Sequence, residues 1–569
     1  MTVEGPQPQP LLRTLVFPST QEPVYPELTI DRFSPTSHPI GVCFSGGGPR
    51  AMSCAMGQMR ALMQTPLYDL IGAISCISGG SWFGSIFSFA DKSISDADLL
   101  GPVTQPGDIT LDSAAQMPRT RLGFGLTQIY NDRIQALLAE EVLSGVPDNR
   151  RYANMLNHFL LGTFGIDDVK KFFSLDDASV AQIVANNTPG LTAADFYTMR
   201  ANRPYFIAGA TQVYPVNEQL VMRQFEYSPL YDGTPQFFPT GASPNGAFGG
   251  GYVQNFAFDS SNPQTPDANG LITVDAPLHR FAISDLMGSS GAAPGSVLDA
   301  HGLPSLFAEF HYWDPRSAGT TPDPTVQKMS IVDGGDLENT GIVALLRRQY
   351  PLILVGVNTL APMGADKGTY EGVDSQIAAL FGFTPPHTQA TREIRQPVRQ
   401  DGAEKPASPL PSIPVGTQTP DVLKFEIPQQ PIQVFPSEDW PAVRDGLKTA
   451  LAGGGPVYFA SEHRIYDQNP FGISPYPNDG TVKVVWLYNQ RIANWVSQLR
   501  PEVAAFLDSK GKTEFMANFP NLRTMQQNSD LFGIKELLQY TPRQVNLLAD
   551  MWTWAILEIA ADLRKLVNP

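Results

Sequence analysis

Pro39-Ile40-Gly41-Val42-Cys43-Phe44-Ser45-Gly46-Gly47-Gly48-Pro49-Arg50 reads as a buried strand, a sharp turn and the start of a helix. The apolar run Pro39 to Phe44 predicts the strand, three glycines free the backbone to turn, and Pro49 stands where a first helical residue belongs. Such a turn aims backbone N–H groups at one point. With the positive end of a helix from Pro49 to about Thr65, those donors suit a phosphate or a developing oxyanion.

A second strand, Ile71 to Ile77, runs straight into Ser78-Gly79-Gly80 and an apolar helix from Ser81 to about Ala90. Strand, strained turn and helix place a serine hydroxyl outward with a helix N-terminus beneath it, the arrangement of a nucleophile elbow. Far downstream, Lys328-Met329-Ser330-Ile331-Val332-Asp333-Gly334-Gly335-Asp336 predicts a short strand ending in an aspartate held against two glycines. Asp333 is the expected base for Ser78. A carboxylate activates a hydroxyl only where desolvation raises its proton affinity, so an apolar surround is expected. Ser81 is assigned to capping or packing, and Asp336 and Glu338 to the start of a helix spanning Thr340 to Arg348.

Ser45-Gly46-Gly47-Gly48-x-Arg50, Ser78-Gly79-Gly80-Ser81-Trp82 and Asp333-Gly334-Gly335 together resemble the catalytic core of the cytosolic phospholipase A2 and lysophospholipase (phospholipase B) group, with patatins as more distant relatives. Phe225-Glu226-Tyr227-Ser228-Pro229, Ser290-Gly291-Ala292-Ala293-Pro294, Asp336-Leu337-Glu338-Asn339 and the strand Val482 to Tyr488 follow in the same order, so the resemblance runs from about Pro39 onward. It implies a patatin-like three-layer α/β fold: a central, mostly parallel sheet flanked by helices, with a helical cap. It also implies acyl-ester hydrolysis through an acyl-serine, with Ser78 as nucleophile, Asp333 as sole partner, Gly47 and Gly48 as oxyanion donors, and Arg50 near the substrate head group. The implied substrate is a phospholipid or lysophospholipid. One position departs from the group's pattern: Cys76 stands where its elbow usually begins with glycine.

The chain has 569 residues, but the motifs that must meet span most of it, so a single large domain with insertions is expected. An extended arm covers 1–37, and one catalytic domain covers 38–569, with a cap insertion at about 100–200 and a proline-rich excursion at about 397–436. Within the cap, Ile129, Ile134, Leu137, Leu138 and Val142 have helical spacing. The aromatics Phe237, Phe238, Phe248, Tyr252, Phe256 and Phe258 either line an acyl channel or pack under a long loop. The series Met52, Met56, Met59 and Met63 reads as core.

A net charge of -16 argues against nucleic acid and against broad attraction to anionic membranes, leaving transient, apolar contact with a membrane or micelle. No secretory signal and no membrane-length apolar run is visible, and Cys43, Cys54 and Cys76 read as reduced packing residues, which favours the cytoplasm. Signal-less export stays open. No metal spacing occurs, so no metal or cofactor is expected, and with roughly 40 residues before the glycine turn no calcium-dependent lipid-binding module is expected either. Two other expectations stay open. One is a catalytically silent lipid- or partner-binding protein, kept alive by Cys76; the other is a Ser-His-Asp esterase acting on small esters through His387 or His463.

Overall fold

The computed structural model describes residues 10–18, 25–129, 148–216, 219–235, 250–292, 308–315, 327–383, 391–395, 422–426, 431–511, 514–523, 526–531, 534–537 and 539–567, with residues 133, 136, 137, 140, 141, 143, 144 and 146. In chain order its main elements are β1 (Ile40–Phe44), α1 (Gly48–Leu62), β2 (Ile71–Ile77), α2 (Gly79–Phe89), α3 (Asp148–Leu156), β3 (Tyr205–Val216) and β4 (Gln219–Tyr227). There follow α4 (Ile283–Ser290), β5 (Ala308–Tyr312), β6 (Gln327–Asp333), α5 (Ile342–Arg347), β7 (Leu352–Val357), β8 (Tyr458–His463), β9 (Val482–Tyr488) and α6 (Pro542–Val567).

Among the described residues a twelve-stranded sheet runs β8-β9-β7-β1-β2-β3-β4 and continues through Asp232–Thr234, Gly251–Val253 and Val16–Pro18. Its middle five strands, β9 to β3, are parallel, whereas both flanks are antiparallel. The parallel strands are near-continuous apolar runs buried on both faces, as Ile-Gly-Ala-Ile-Ser-Cys-Ile in β2 shows. Strand parity assigns the covering helices. A Cβ on Gly41 would meet Leu345 of α5, and one on Gly356 would meet Gln58 of α1. Gly41 pairs with Ile353, three positions from Gly356, so the two glycines face opposite sides and α5 and α1 cover opposite faces. The fold is thus a mixed α/β sheet with helices on both sides.

On the α1 face, Met52, Met56 and Met59 are fully buried, each contributing about 1.5–3 kcal/mol relative to exposure. Across them lies α6, fixed by Arg60 donating to Asp550 at 2.6 Å and to Thr553 at 2.7 Å. In the stretch expected as a cap insertion, α3 docks on α4 through Arg150 with Asp285 and through the Tyr152 hydroxyl on the carbonyl of Gly291. Ile129 is buried there, while Ile134, Leu138 and Val142 lie outside the described residues. Tyr252, Phe256 and Phe258 belong to packed aromatic clusters rather than a channel, Phe258 standing against Phe225, Phe281 and Phe310. Phe237, Phe238, Phe248 and most of the proline-rich excursion lie outside the described residues. Cys43, Cys54 and Cys76 are buried free thiols. No helix among the described residues is long and apolar enough to cross a membrane.

The antiparallel edge is held by His463 of β8. Its Nδ1 lies 2.8 Å from Asp439 and its Nε2 2.7 Å from the Ser461 hydroxyl, tying the strand to the helix Trp440–Ala452 beside it. Burial lowers the imidazole pKa against the opposing pull of Asp439.

Two predictions follow from this packing. A Cβ on Gly57 would sit 2.2 Å from the carbonyl oxygen of Ala549, so Gly57→Ala is expected to cost about 1–3 kcal/mol in denaturant unfolding; an unchanged midpoint would refute the close α1–α6 crossing. Because His463 is held neutral, its contribution is fully present above the free-imidazole pKa of 6.5 and is lost as pH falls through the lowered folded value. Unfolding midpoints compared at about pH 7.5 and 5.5 should fall more for the native chain than for His463→Gln.

Candidate active site

β2 ends at Ile77, opposite Gly209 of β3, and the chain then bends sharply. Ser78 sits in this bend at φ 52° and ψ −121°, a conformation that L-residues rarely adopt, and α2 begins at Gly79. Such strain persists only where the surroundings over-determine it. Here the Ser78 N–H donates to Ser290 Oγ at 3.2 Å, and that hydroxyl donates on to the Gly209 carbonyl at 2.7 Å. From the other side, the Ser78 carbonyl accepts from the Ser81 hydroxyl at 2.6 Å and from the amides of Ser81 and Trp82. Ser81 therefore braces the turn rather than offering a second hydroxyl.

β6 arrives antiparallel on the same edge of β3 and ends at Asp333, opposite Ala210, one position beyond Gly209. The two strand ends abut. Ser78 Oγ donates to Asp333 Oδ2 at 2.8 Å across a sequence separation of 255 residues. The other carboxylate oxygen, Oδ1, accepts from the Gly335 amide at 2.8 Å, which fixes the rotation of the group. Ser78 is 7% exposed and Asp333 4%. A small apolar cluster of Val213, Met222, Ala292 and Val332 lies separate from the main core, and strand alternation puts Val213 and Val332 on the face of the sheet opposite Asp333.

The glycine turn packs directly against the elbow. A Cβ on Gly79 would fall 2.1 Å from the Gly48 carbonyl oxygen, and one on Gly46 would lie 3.0 Å from Ser78 Cβ. Gly47 and Gly48 take φ 140° and 56°, conformations open to glycine, and turn the chain into the N-terminus of α1. Asn358, just beyond β7, supports this turn: its amide donates to Ser45 Oγ at 2.8 Å, and its side-chain oxygen accepts from Gln58 at 3.0 Å. Asn339 wedges between the glycine turns, its side-chain oxygen 2.1 Å from a Cβ position on Gly46 and 2.5 Å from one on Gly335.

Arg50 differs from its expected placement. Rather than facing a head group, its guanidinium is 3% exposed and donates to the backbone carbonyls of Asn358 at 2.9 Å and Leu522 at 2.5 Å. Its Nη2 lies 2.6 Å from where a Gly47 Cβ would be, so it backs the glycine turn from inside. Burial lowers its pKa, opposed by Tyr540, Cys54 and Asp374. Cys76 packs against Gly84 of α2, where a Cβ would come within 2.8 Å of the Cys76 sulfur, so the absent side chain on the helix leaves room for the thiol on the strand. His463 has its ring nitrogens on Asp439 and Ser461, not on Ser78; Ser461 lies within a paired strand rather than a donor-rich turn. His387 lies outside the described residues.

Ser290 and Asn339 lie in segments that carry the resemblance, but nothing local in the sequence gives them a role, and Asn358 stands outside those segments. A lone asparagine after a strand gives no pattern to read. Most of the contacts that define these three residues are long-range.

No protein-family model matches the chain, and no curated protein matches it by sequence. In shape it is similar to human GIVD cytosolic phospholipase A2, at 13% identity and a TM-score of 0.46 over 99% of this chain and 68% of that one. It is also similar to that human protein in complex with methyl gamma-linolenyl fluorophosphonate and terbium chloride, at 15% identity and a TM-score of 0.39 over 92% of this chain and 58% of that one. For the complex with the fluorophosphonate alone, the figures are 14%, 0.40, 94% and 58%. Likeness at this level carries no residue role from one chain to the other.

Proposed function

We propose that this chain is a serine lipid acyl hydrolase, acting on fatty acyl esters of a phospholipid or lysophospholipid through an acyl-serine intermediate. The observation that carries the reading is the 2.8 Å hydrogen bond from Ser78 Oγ, on a strained strand-to-helix turn, to an Asp333 carboxylate that is almost fully buried. A second supporting feature is the glycine turn in van der Waals contact with that elbow.

In this reading Ser78 Oγ attacks the ester carbonyl carbon while its proton passes to Asp333 Oδ2. The amides of Gly47 and Gly48, at the positive end of α1, donate to the oxyanion. Collapse breaks the ester C–O bond, and Asp333 returns the proton to the departing alcohol oxygen. Water then attacks the acyl-serine, losing a proton to Asp333, and the fatty acid leaves as Ser78 recovers its hydrogen. Arg50 takes a different part from direct head-group binding: its charge behind Gly47 holds the turn and favours the negative oxyanion. We place the working surface at a membrane or micelle, reached by local apolar contact rather than by overall charge.

The test is intact-mass spectrometry after treatment with a long-chain alkyl fluorophosphonate, paired with fatty acid release from lysophosphatidylcholine. The native chain should gain one adduct, Ser78→Ala should gain none, and Asp333→Asn should label and turn over about 10²–10⁴-fold more slowly. A folded native chain that stays unlabelled both in solution and with vesicles would overturn the hydrolase reading in favour of a binding protein.

A further inference from the structure

The backbone amide of Ser78 reaches the sheet through one intermediary. β2 and β3 run as a parallel ladder as far as Ile77 opposite Gly209. The next amide, that of Ser78, donates to Ser290 Oγ at 3.2 Å, and this hydroxyl donates to the Gly209 carbonyl at 2.7 Å. A direct amide–carbonyl bond would hold Ser78 as one more rung of the ladder, whereas an interposed hydroxyl holds it off the strand. The peptide plane that ends in this amide sets the positive φ of Ser78, so the Ser290 hydroxyl governs where the Ser78 side chain points.

What fixes Ser290 lies on α3, in the stretch expected as a cap insertion. Ser290 is the last residue of α4, and α3 grips α4 at three levels. Arg150 pairs with Asp285 near the start of α4 at 3.2 Å. At its middle, a Cβ on Gly288 would come within 2.8 Å of Ala153 Cβ. Just past its end, the Tyr152 hydroxyl donates to the Gly291 carbonyl at 2.8 Å. Ser290 and Tyr152 are both buried, and Gly291 is closed in by α2 as well, since a Cβ there would fall 2.5 Å from Trp82 Nε1. The Tyr152 hydroxyl keeps its proton to donate, because burial and the charge of Asp333 both hold its pKa well above the ordinary phenol range.

The adjoining residues Ser290 and Gly291 thus carry two bonds with different ends, one to the elbow through a side chain and one to α3 through the main chain. A shift of α3 moves the Gly291 carbonyl, Ser290 moves with it, and the Ser78 amide loses its acceptor. We propose that Ser290 and Tyr152 are positioning residues for the nucleophile, so that the seat of α3 on α4 sets the alignment of Ser78 Oγ for attack. The kinetic consequence rests on the acyl-serine reading, while the link from α3 to the elbow does not. A misplacement of about 1 Å costs on the order of 10²-fold in rate, so hydrogen bonds that never touch the ester can carry this control.

The experiment compares the full native chain with Ser290→Ala, Ser290→Thr and Tyr152→Phe. Each is titrated with the long-chain fluorophosphonate to count reactive sites, assayed for kcat and KM on lysophosphatidylcholine, and followed unlabelled by hydrogen exchange over residues 77–82. Ser290→Ala should keep a full count of reactive sites and a KM within about two-fold, yet lower the labelling rate and kcat by about 10–10²-fold. Ser290→Thr, which keeps the hydroxyl, should recover most of that rate. Tyr152→Phe, which removes one oxygen from α3, should lower the rate by about three- to ten-fold. The elbow amides should exchange faster in Ser290→Ala and in Tyr152→Phe. A merely structural role would reduce the count of reactive sites and leave the rate at each one unchanged. That result, or native exchange over 77–82 in either variant, would overturn the proposal. A native chain that never labels would defeat the hydrolase reading instead, and exchange would then decide the link from α3 to the elbow: faster in both variants upholds it, unchanged in either overturns it. Should Ser290→Ala fail to fold, Tyr152→Phe decides by the same readings.

Discussion

Everything at the candidate site depends on how one edge of β3 is shared. The first part of that edge, Tyr205 to Gly209, is taken by β2 running parallel, and the next part, Ala210 to Val213, by β6 running antiparallel. Two strands approaching from opposite directions must stop where they meet, and Ser78 and Asp333 are the residues at the stopping points. The junction is close. A Cβ on Gly334 would lie 2.5 Å from the Gly209 carbonyl oxygen, and one on Gly209 would lie 2.4 Å from Ile77 Cδ1. Since side chains alternate along a strand, a slip of one residue in β6 would turn Asp333 to the other face, so the register itself fixes the Ser78–Asp333 distance.

Glycines recur around this junction for a single reason: three backbone turns converge in one small volume. The turn after β1 packs on the elbow through Gly46 and Gly79, and the elbow packs back on the carbonyl of Phe44 through Gly80. Side chains appear only where they bind backbone. Ser290 bridges the elbow to β3, Asn358 holds Ser45, and Arg50 spans Asn358 and Leu522 behind Gly47. A cation in the first turn of α1 opposes the helix dipole, and its two carbonyl acceptors offset that local cost. Burial of the whole of α1 and α2 supplies the stability that keeps Ser78 at positive φ.

Much of this was legible in the sequence because it is local. The strands over Ile40–Phe44 and Ile71–Ile77 lie where their apolar runs placed them, and α2 spans Gly79–Phe89 against an expected Ser81 to about Ala90. The expectation of a mostly parallel sheet fits its middle five strands, but β3 and β4 pair antiparallel along their length and open a long antiparallel flank. The residues missed at the site share one property, in that their meaning lies in a distant partner. For Arg50 the resemblance implies a place near a head group, and nothing local in the sequence shows the carbonyls on which its guanidinium ends. Gly84 carries no signal alone; its place is set by Phe206 and Cys76 across the strand–helix contact, 2.4 Å and 2.8 Å from where its Cβ would be.

The same sharing of β3 accounts for a buried ion cluster on its other edge. Glu226 of β4 pairs with Gly209, directly across β3 from the junction. Its carboxylate takes Arg348 Nη2 at 2.9 Å, and Arg348 reaches Glu27 through Nε at 2.7 Å, all three side chains being almost wholly withdrawn from water. Tyr231 closes the ring, accepting from Arg348 at 3.0 Å and donating to Glu27 at 2.6 Å. The two carboxylates hold Arg348 protonated, against the burial that alone would lower its pKa. Buried ion pairs contribute little net stability over well-packed apolar groups, yet losing one partner costs about 3–5 kcal/mol because a charge is stranded. That asymmetry penalises wrong registers more than it rewards the right one. A slip of β4 would strand Arg348, so the cluster pins β4 on β3, and β3 in turn carries the edge on which Ser78 and Asp333 meet.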